Sequence, residues 1–86
     1  MYYVYFLKSL SHNFRYVGYT SNLASRLSDH NDGNTVSTKP YAPFEIDAFI
    51  AVKTKQTAQN LEKYFKTGSG IAFARKRLLT TYEALA

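Results

Sequence analysis

Tyr2 to Leu7 and Arg15 to Tyr19 hold most of the constraint on how this chain folds. Both segments are rich in the aromatic and β-branched side chains that suit a pleated surface, so each reads as a strand. Ser9 to Asn13 between them is polar and turn-like. So short a connection makes the pair an antiparallel hairpin. The pattern then changes period. Thr20 or Ser21 is placed to cap a helix that runs to His30 or Asn31, where Asn31-Asp32-Gly33-Asn34 supplies a strong stop and turn.

Residues 32–43 form a polar loop carrying Lys39, Pro40 and Pro43. From Phe44 to Val52 the sequence alternates, with Phe44, Ile46, Ala48, Ile50 and Val52 on one apolar face and Glu45 and Asp47 on the other, which predicts a third strand. Thr54 or Thr57 caps a second helix to about Lys66, with Ala58, Leu61 and Phe65 as its stripe, and Gly68-Ser69-Gly70 breaks it. Ile71 to Leu79 is a third helix with Ile71, Ala74, Arg75 and Leu78 at helical spacing; from Thr80 onward the signal is weak, and the residues fray or extend that helix. The order β-β-α-β-α-α implies an α+β fold, a three-stranded antiparallel sheet flanked by helices. No linker or repeat divides it, so residues 1–86 read as a single domain.

Composition narrows the function. The chain has 86 residues and no cysteine, which removes disulfides and thiolate metal sites and fits a reducing cytoplasm. No apolar run approaches the ~20 residues of a membrane span, and the segment MYYVYFLKS lacks the features of a signal peptide. A net charge of +5, with five of the eleven basic residues between Lys63 and Arg77, favours phosphate-rich partners. Solubility alone accounts for the same charge. The tyrosines and phenylalanines serve either to stack on bases or to fill a small core.

The first helix carries an anomaly. Leu23 and Leu27 mark its inner stripe, yet Arg26 and His30 fall on or beside that stripe. With Tyr3-Val4-Tyr5, Tyr16-Val17-Gly18 and Glu62 in the same order along the chain, these residues resemble the GIY-YIG nuclease family, most of all its short stand-alone bacterial members. The first motif departs at its glycine, which is Tyr3 here, and the second carries Val17 for isoleucine. Gly68-Ser69-Gly70-x-Ala72-Phe73 and Lys76-Arg77-Leu78 extend the likeness over nearly the whole chain. The resemblance implies a metal-dependent endonuclease or nickase that hydrolyses a DNA phosphodiester, in repair or recombination.

It also implies roles. Tyr16 would activate the attacking water, which requires positive charge nearby because a free phenol ionises near pH 10. Tyr5, expected to pair near Tyr16 on one face, would position that water or a phosphate oxygen. Arg26 would hold the scissile phosphate with its planar fork of donors, and His30 would donate to phosphate or move a proton. Glu62 would bind Mg²⁺ or Mn²⁺, for which one carboxylate plus waters suffices. Gly18 would let phosphate approach the backbone, while Lys39, Lys63, Lys66, Arg75, Lys76 and Arg77 would track the DNA strand. Each residue also has a plain structural reading: packed strand tyrosines, an arginine lying over apolar neighbours, a histidine on a helix-end carbonyl, Glu62 paired with Lys66, and a solvated basic helix face. Tyr19 stands where some relatives have a catalytic lysine. A binding module that kept the fold but lost the chemistry is therefore the alternative. The expected partner is DNA read by structure or damage with weak sequence specificity, cut by a monomer or weak homodimer, with room for a delivery protein.

Overall fold

The computed structural model describes residues 1–80. Strands β1 (Tyr2–Ser9), β2 (Arg15–Thr20) and β3 (Phe44–Val52) form one antiparallel sheet in the order β2-β1-β3. Helices α1 (Leu23–Asn31), α2 (Lys55–Tyr64) and α3 (Gly68–Arg77) complete the α+β arrangement, with a short 3-10 turn at Lys39–Tyr41. The residues from 81 on, where the third helix was expected to fray or extend, lie outside the described part.

Each helix begins on a side-chain oxygen that satisfies an otherwise orphaned amide. For α1 this is Asn22, whose Oδ1 accepts from the Ser25 amide at 3.0 Å, rather than Thr20 or Ser21; Thr20 instead bonds into the turn before it. Thr54 caps α2 as expected. Gly33 adopts a φ of 76° just past α1, a left-handed conformation natural to glycine, which explains why the Asn-Asp-Gly-Asn segment stops the helix. Asn31 clamps α1 to the start of β3, its side-chain amide both accepting from and donating to the Phe44 backbone.

Three expectations need correction. Gly68-Ser69-Gly70 is the first turn of α3 and not a break, because Thr67 Oγ1 caps it by accepting from the Gly70 amide at 3.1 Å. A Cβ on Gly70 would lie 1.9 Å from the Tyr64 carbonyl oxygen, so this glycine lets α3 sit directly against the end of α2. The expected α3 stripe is buried only at Ala74, with Leu78 half-buried and Ile71 and Arg75 exposed. In β3 the alternation does not define one face. Phe6 pairs with Ala48 and Leu7 with Ile46, so Asp47 is an extra residue in a β-bulge. The bulge turns Phe44 and Ile46 toward α1, and Ala48, Ile50 and Val52 toward α2 and α3. Asp47 is held there by Arg15 Nη1 at 2.6 Å and by the amide and hydroxyl of Thr80.

The sheet is thus covered on both sides. Val4, Phe6, Ala58, Phe65 and Ala74 form the core under α2 and α3, with the Phe6 and Phe65 rings edge to face at 4.9 Å. Tyr5, Leu7 and Phe44 form a second core with Leu23 and Leu27 of α1.

Candidate active site

Alternation along β1 sends Tyr5 to the α1 side, and on β2 it sends Tyr16 and Gly18 the same way. Tyr5 lies opposite Gly18 rather than Tyr16, which is opposite Leu7; the two phenols still share a face, with ring centres 6.3 Å apart. On α1, Arg26 and His30 stand one turn apart and reach the same place.

Their hydrogen bonds form one chain. Arg26 Nε lies 3.3 Å from the Tyr5 hydroxyl, which lies 3.0 Å from His30 Nε2. His30 Nδ1 is 2.8 Å from Thr38 Oγ1, and that hydroxyl is 3.3 Å from the Thr35 carbonyl. The ends fix most of the directions, and the rest follows because among the described residues His30 Nε2 is the acceptor in reach of the buried Tyr5 hydroxyl's own proton. A guanidinium can only donate and a carbonyl can only accept. So Arg26 donates to Tyr5, Tyr5 to His30 Nε2, His30 Nδ1 to Thr38, and Thr38 to Thr35. This requires a neutral His30 protonated on Nδ1.

The electrostatics agree. Burial pushes the His30 imidazole below its ordinary value, and the Arg26 charge pushes it further the same way. Burial also raises the Tyr5 phenol, although the hydrogen bond and charge of Arg26 pull against it, so Tyr5 keeps its proton at neutral pH. The hydrogen bond to Tyr5 raises Arg26 in turn. Both His30 and Thr38 are fully buried. Thr38 is the site residue that sequence reasoning missed.

Two of the expected substrate contacts, Gly18 and His30, pack against protein groups. A Cβ on Gly18 would lie 2.6 Å from the Tyr5 hydroxyl and 3.0 Å from Tyr16 Cε2. The space above Gly18 is taken by Tyr5, not left open for phosphate. His30 has both ring nitrogens engaged and no exposed surface, and it holds Tyr5. Arg26 differs: 36% of its side chain is exposed, and Asp29 Oδ2 stands 3.7 Å from Nη1, an ion pair too long for a hydrogen bond. Its outer nitrogens can therefore exchange Asp29 for a phosphate. Tyr16 packs against His30 at 5.0 Å between ring centres and remains partly exposed.

Glu62, on α2, is held by Lys66 at 3.3 Å, and its charge reaches Tyr5 and helps raise that phenol. No group of three or more histidine and acidic side chains among the described residues could cage a metal. One carboxylate within electrostatic reach of Tyr5 suits an ion that keeps its waters, as Mg²⁺ does. Tyr19 points to the other face, where its hydroxyl accepts from Gln59 Nε2 at 3.1 Å. Lys39 is exposed beside Thr38. Lys63 on α2, Lys66 in the turn after it, and Arg75, Lys76 and Arg77 on α3 belong to the elements that cover the opposite face, and Arg77 rests over the Phe73 ring. Arg75 and Arg15 instead line a separate cavity of about 670 Å³ at the hairpin end of the sheet.

Comparisons with known proteins point to one family. The model of the GIY-YIG catalytic domain matches residues 1–71. A UPF0213 protein of Bacillus licheniformis is 38% identical over 52 residues, which is 59% of this chain and 54% of that protein. UPF0213 protein YazA of Bacillus subtilis is 40% identical over 55 residues, 63% of this chain and 56% of that one. The chain thus spans about half the length of the curated relatives it matches. No solved structure matches it. Nucleases of this type generally use a divalent metal ion. With Tyr5 of the first motif hydrogen-bonded to the arginine of α1, and the family model matching most of its length, the chain belongs to the GIY-YIG family, a nuclease superfamily.

Proposed function

We propose that the chain is a metal-dependent DNA endonuclease that nicks one strand, acting in repair or recombination. The observation that carries this reading is the Arg26–Tyr5–His30–Thr38 chain, which fixes a partly exposed guanidinium beside two phenols. A buried structure of that kind presents a phosphate-binding group at little further entropic cost. Arg26 holds a phosphate oxygen and offsets the charge that develops on it. Tyr16, within reach of the Arg26 charge, takes the proton of the attacking water. The water oxygen bonds to phosphorus, one phosphorus–oxygen ester bond breaks, and the departing oxygen leaves a nicked strand. Tyr5 and His30 position Arg26 and the water. A divalent ion on Glu62, Mg²⁺ or Mn²⁺, would supply Lewis-acid neutralisation of the leaving oxygen. Lys39 would follow the strand beside the site as a phosphate contact, and Lys63, Lys66, Arg75 and Lys76 would take phosphates of DNA that passes around to the α2 and α3 side, none of them reading bases. Among the described residues no helix is long and apolar enough to cross a membrane. A cytoplasmic monomer or weak homodimer, brought to DNA by a partner or acting alone, is the form we assign.

The Glu62–Lys66 ion pair favours one second reading, a binding module in which that carboxylate stays paired and holds no metal. Nicking of supercoiled and branched DNA with and without Mg²⁺ decides between them. Arg26→Ala and Glu62→Ala, both folded by circular dichroism, should each lower the rate by about 10²–10³-fold, the usual loss for removing a charge-stabilising group, and chelation should abolish cutting. Wild-type protein that binds every substrate and cuts none would establish the binding module instead.

A further inference from the structure

The register places Gly18, Tyr5 and Phe49 in one row across the three strands, all on the α1 face. Thr20, Tyr3 and Ala51 make the next row. Leu23 and Leu27 of α1 pack on the cluster of Tyr5, Leu7 and Phe44, and neither core includes Tyr3 or Phe49. Phe49 is 52% exposed although it stands directly beside buried Tyr5. Tyr3 meets it edge to face, 5.9 Å between centroids with the planes at 72°, so the Phe49 ring is braced on one side.

We propose that Tyr3 and Phe49 form a stacking platform for an unpaired DNA base beside the scissile phosphate. The inference rests on the nuclease reading of the neighbouring Arg26 and tyrosines, and it names the substrate class: DNA that is single-stranded or splayed at the cut. Three observations select a base as the occupant. The platform is continuous with the candidate site, one strand spacing of about 4.8 Å from Tyr5. It is small: half of a phenylalanine amounts to roughly 100 Å², far below the ~1,200 Å² of a stable protein interface, but suited to one planar ring. A phosphate-binding group is at hand, since Arg26 is partly exposed and hydrogen-bonded to neighbouring Tyr5, in a chain of net charge +5. Tyr3 also occupies the position of the motif glycine, so this chain brings a ring to the face where the motif has no side chain. Bases in an intact duplex hide their faces against one another, and only unstacked ones can lie on an aromatic side chain.

The test separates the platform from the chemistry. Single-stranded oligonucleotides carrying 2-aminopurine at successive positions are titrated with protein in EDTA, where no metal-dependent cleavage occurs. One or two positions should change in fluorescence on binding. Phe49→Ala and Tyr3→Leu should abolish that change and weaken single-strand binding about 5- to 150-fold, the range for losing one stacked base, while fully paired duplex binding stays as in wild type. Phe49→Tyr should retain both. Equal loss on single strand and duplex, or no loss on either, would overturn the proposal. So would a concentration-dependent dimer that Phe49→Ala dissolves, which would make the patch a contact between copies. Nicking without any base signal removes the platform and keeps the nuclease; a base signal without nicking does the reverse.

Discussion

Val4 and Phe6 leave β1 on one side and Tyr5 and Leu7 on the other, and the two sides are built from different chemistry. Under α2 and α3 the buried residues are Val4, Phe6, Ala58, Phe65 and Ala74, apolar throughout. Under α1 the space beside Leu7 and Phe44 is filled by Tyr5, His30 and Thr38, polar groups that each need a partner. Among the described residues every buried side-chain nitrogen and oxygen has one. Each face also has a glycine that cannot take a Cβ. Gly70 is limited by backbone, at 1.9 Å from the Tyr64 carbonyl oxygen, and Gly18 by the Tyr5 side chain. An apolar core tolerates exchange of one hydrocarbon for another of similar volume, whereas a hydrogen-bonded chain is specified atom by atom. The first face stabilises the fold, and the second fixes the orientation of Arg26.

The largest effect should come from the apolar side. Phe6→Ala removes a ring that is 5% exposed and packed on Phe65. A buried phenylalanine truncated to alanine costs about 3–5 kcal/mol. In a domain this small that approaches the whole stability, so urea denaturation should show partial unfolding before denaturant is added. A loss below about 1 kcal/mol would mean that the α2 and α3 face is not the main core.

A smaller loss should follow on the polar side. Thr38→Val keeps the shape of the side chain but leaves His30 Nδ1–H buried without its acceptor. One unsatisfied buried donor costs about 1–3 kcal/mol. Nicking should fall as well, because Tyr5 and then Arg26 lose their fixed positions, and Thr38→Ser should restore both. If Thr38→Val cuts as well as wild type, the chain is structural and does not orient the guanidinium.

The two faces were unequally legible in the sequence. Ala58, Leu61 and Phe65 stand at helical spacing, and their burial follows from that period alone. The convergence of Arg26 and His30 was also legible, since a helix stripe is a local pattern. The bulge at Asp47 was not. Both faces of the sheet are covered, so apolar residues at every second position of β3 serve either core, and one extra residue switches face without breaking the pattern. Gly70 read as a breaker because its reason is a contact with Tyr64, which no local pattern encodes. Thr38 sits in a polar loop, where a hydroxyl is ordinarily solvated, and only the fold brings it under His30. The register of Tyr5 on Gly18 depended on where the turn ends.

The smallest effect distinguishes the faces by pH, since among the described residues the buried imidazole, His30, lies on the α1 side. His30 is held below its ordinary value in the fold by burial and by Arg26. As pH falls through about 6.5 the unfolded chain takes up a proton that the native His30 still refuses, so the unfolded state gains. Stability is therefore full above that pH and is lost as pH falls toward the native His30 value, at no more than about 1.4 kcal/mol per pH unit for one group. Asp47 is also held low, chiefly by its Thr80 and Arg15 hydrogen bonds acting against its burial, but its loss begins only as pH falls through about 3.9. The two windows separate, and urea midpoints taken between pH 7 and 4.5 read His30 alone of the two. His30→Gln should be less stable at pH 7 and show a flatter profile over that range, with the acid limb near Asp47 unchanged. Parallel profiles for wild type and His30→Gln would mean that His30 accepts its proton in place, and the assigned direction of the Arg26-to-Thr35 chain would then be wrong.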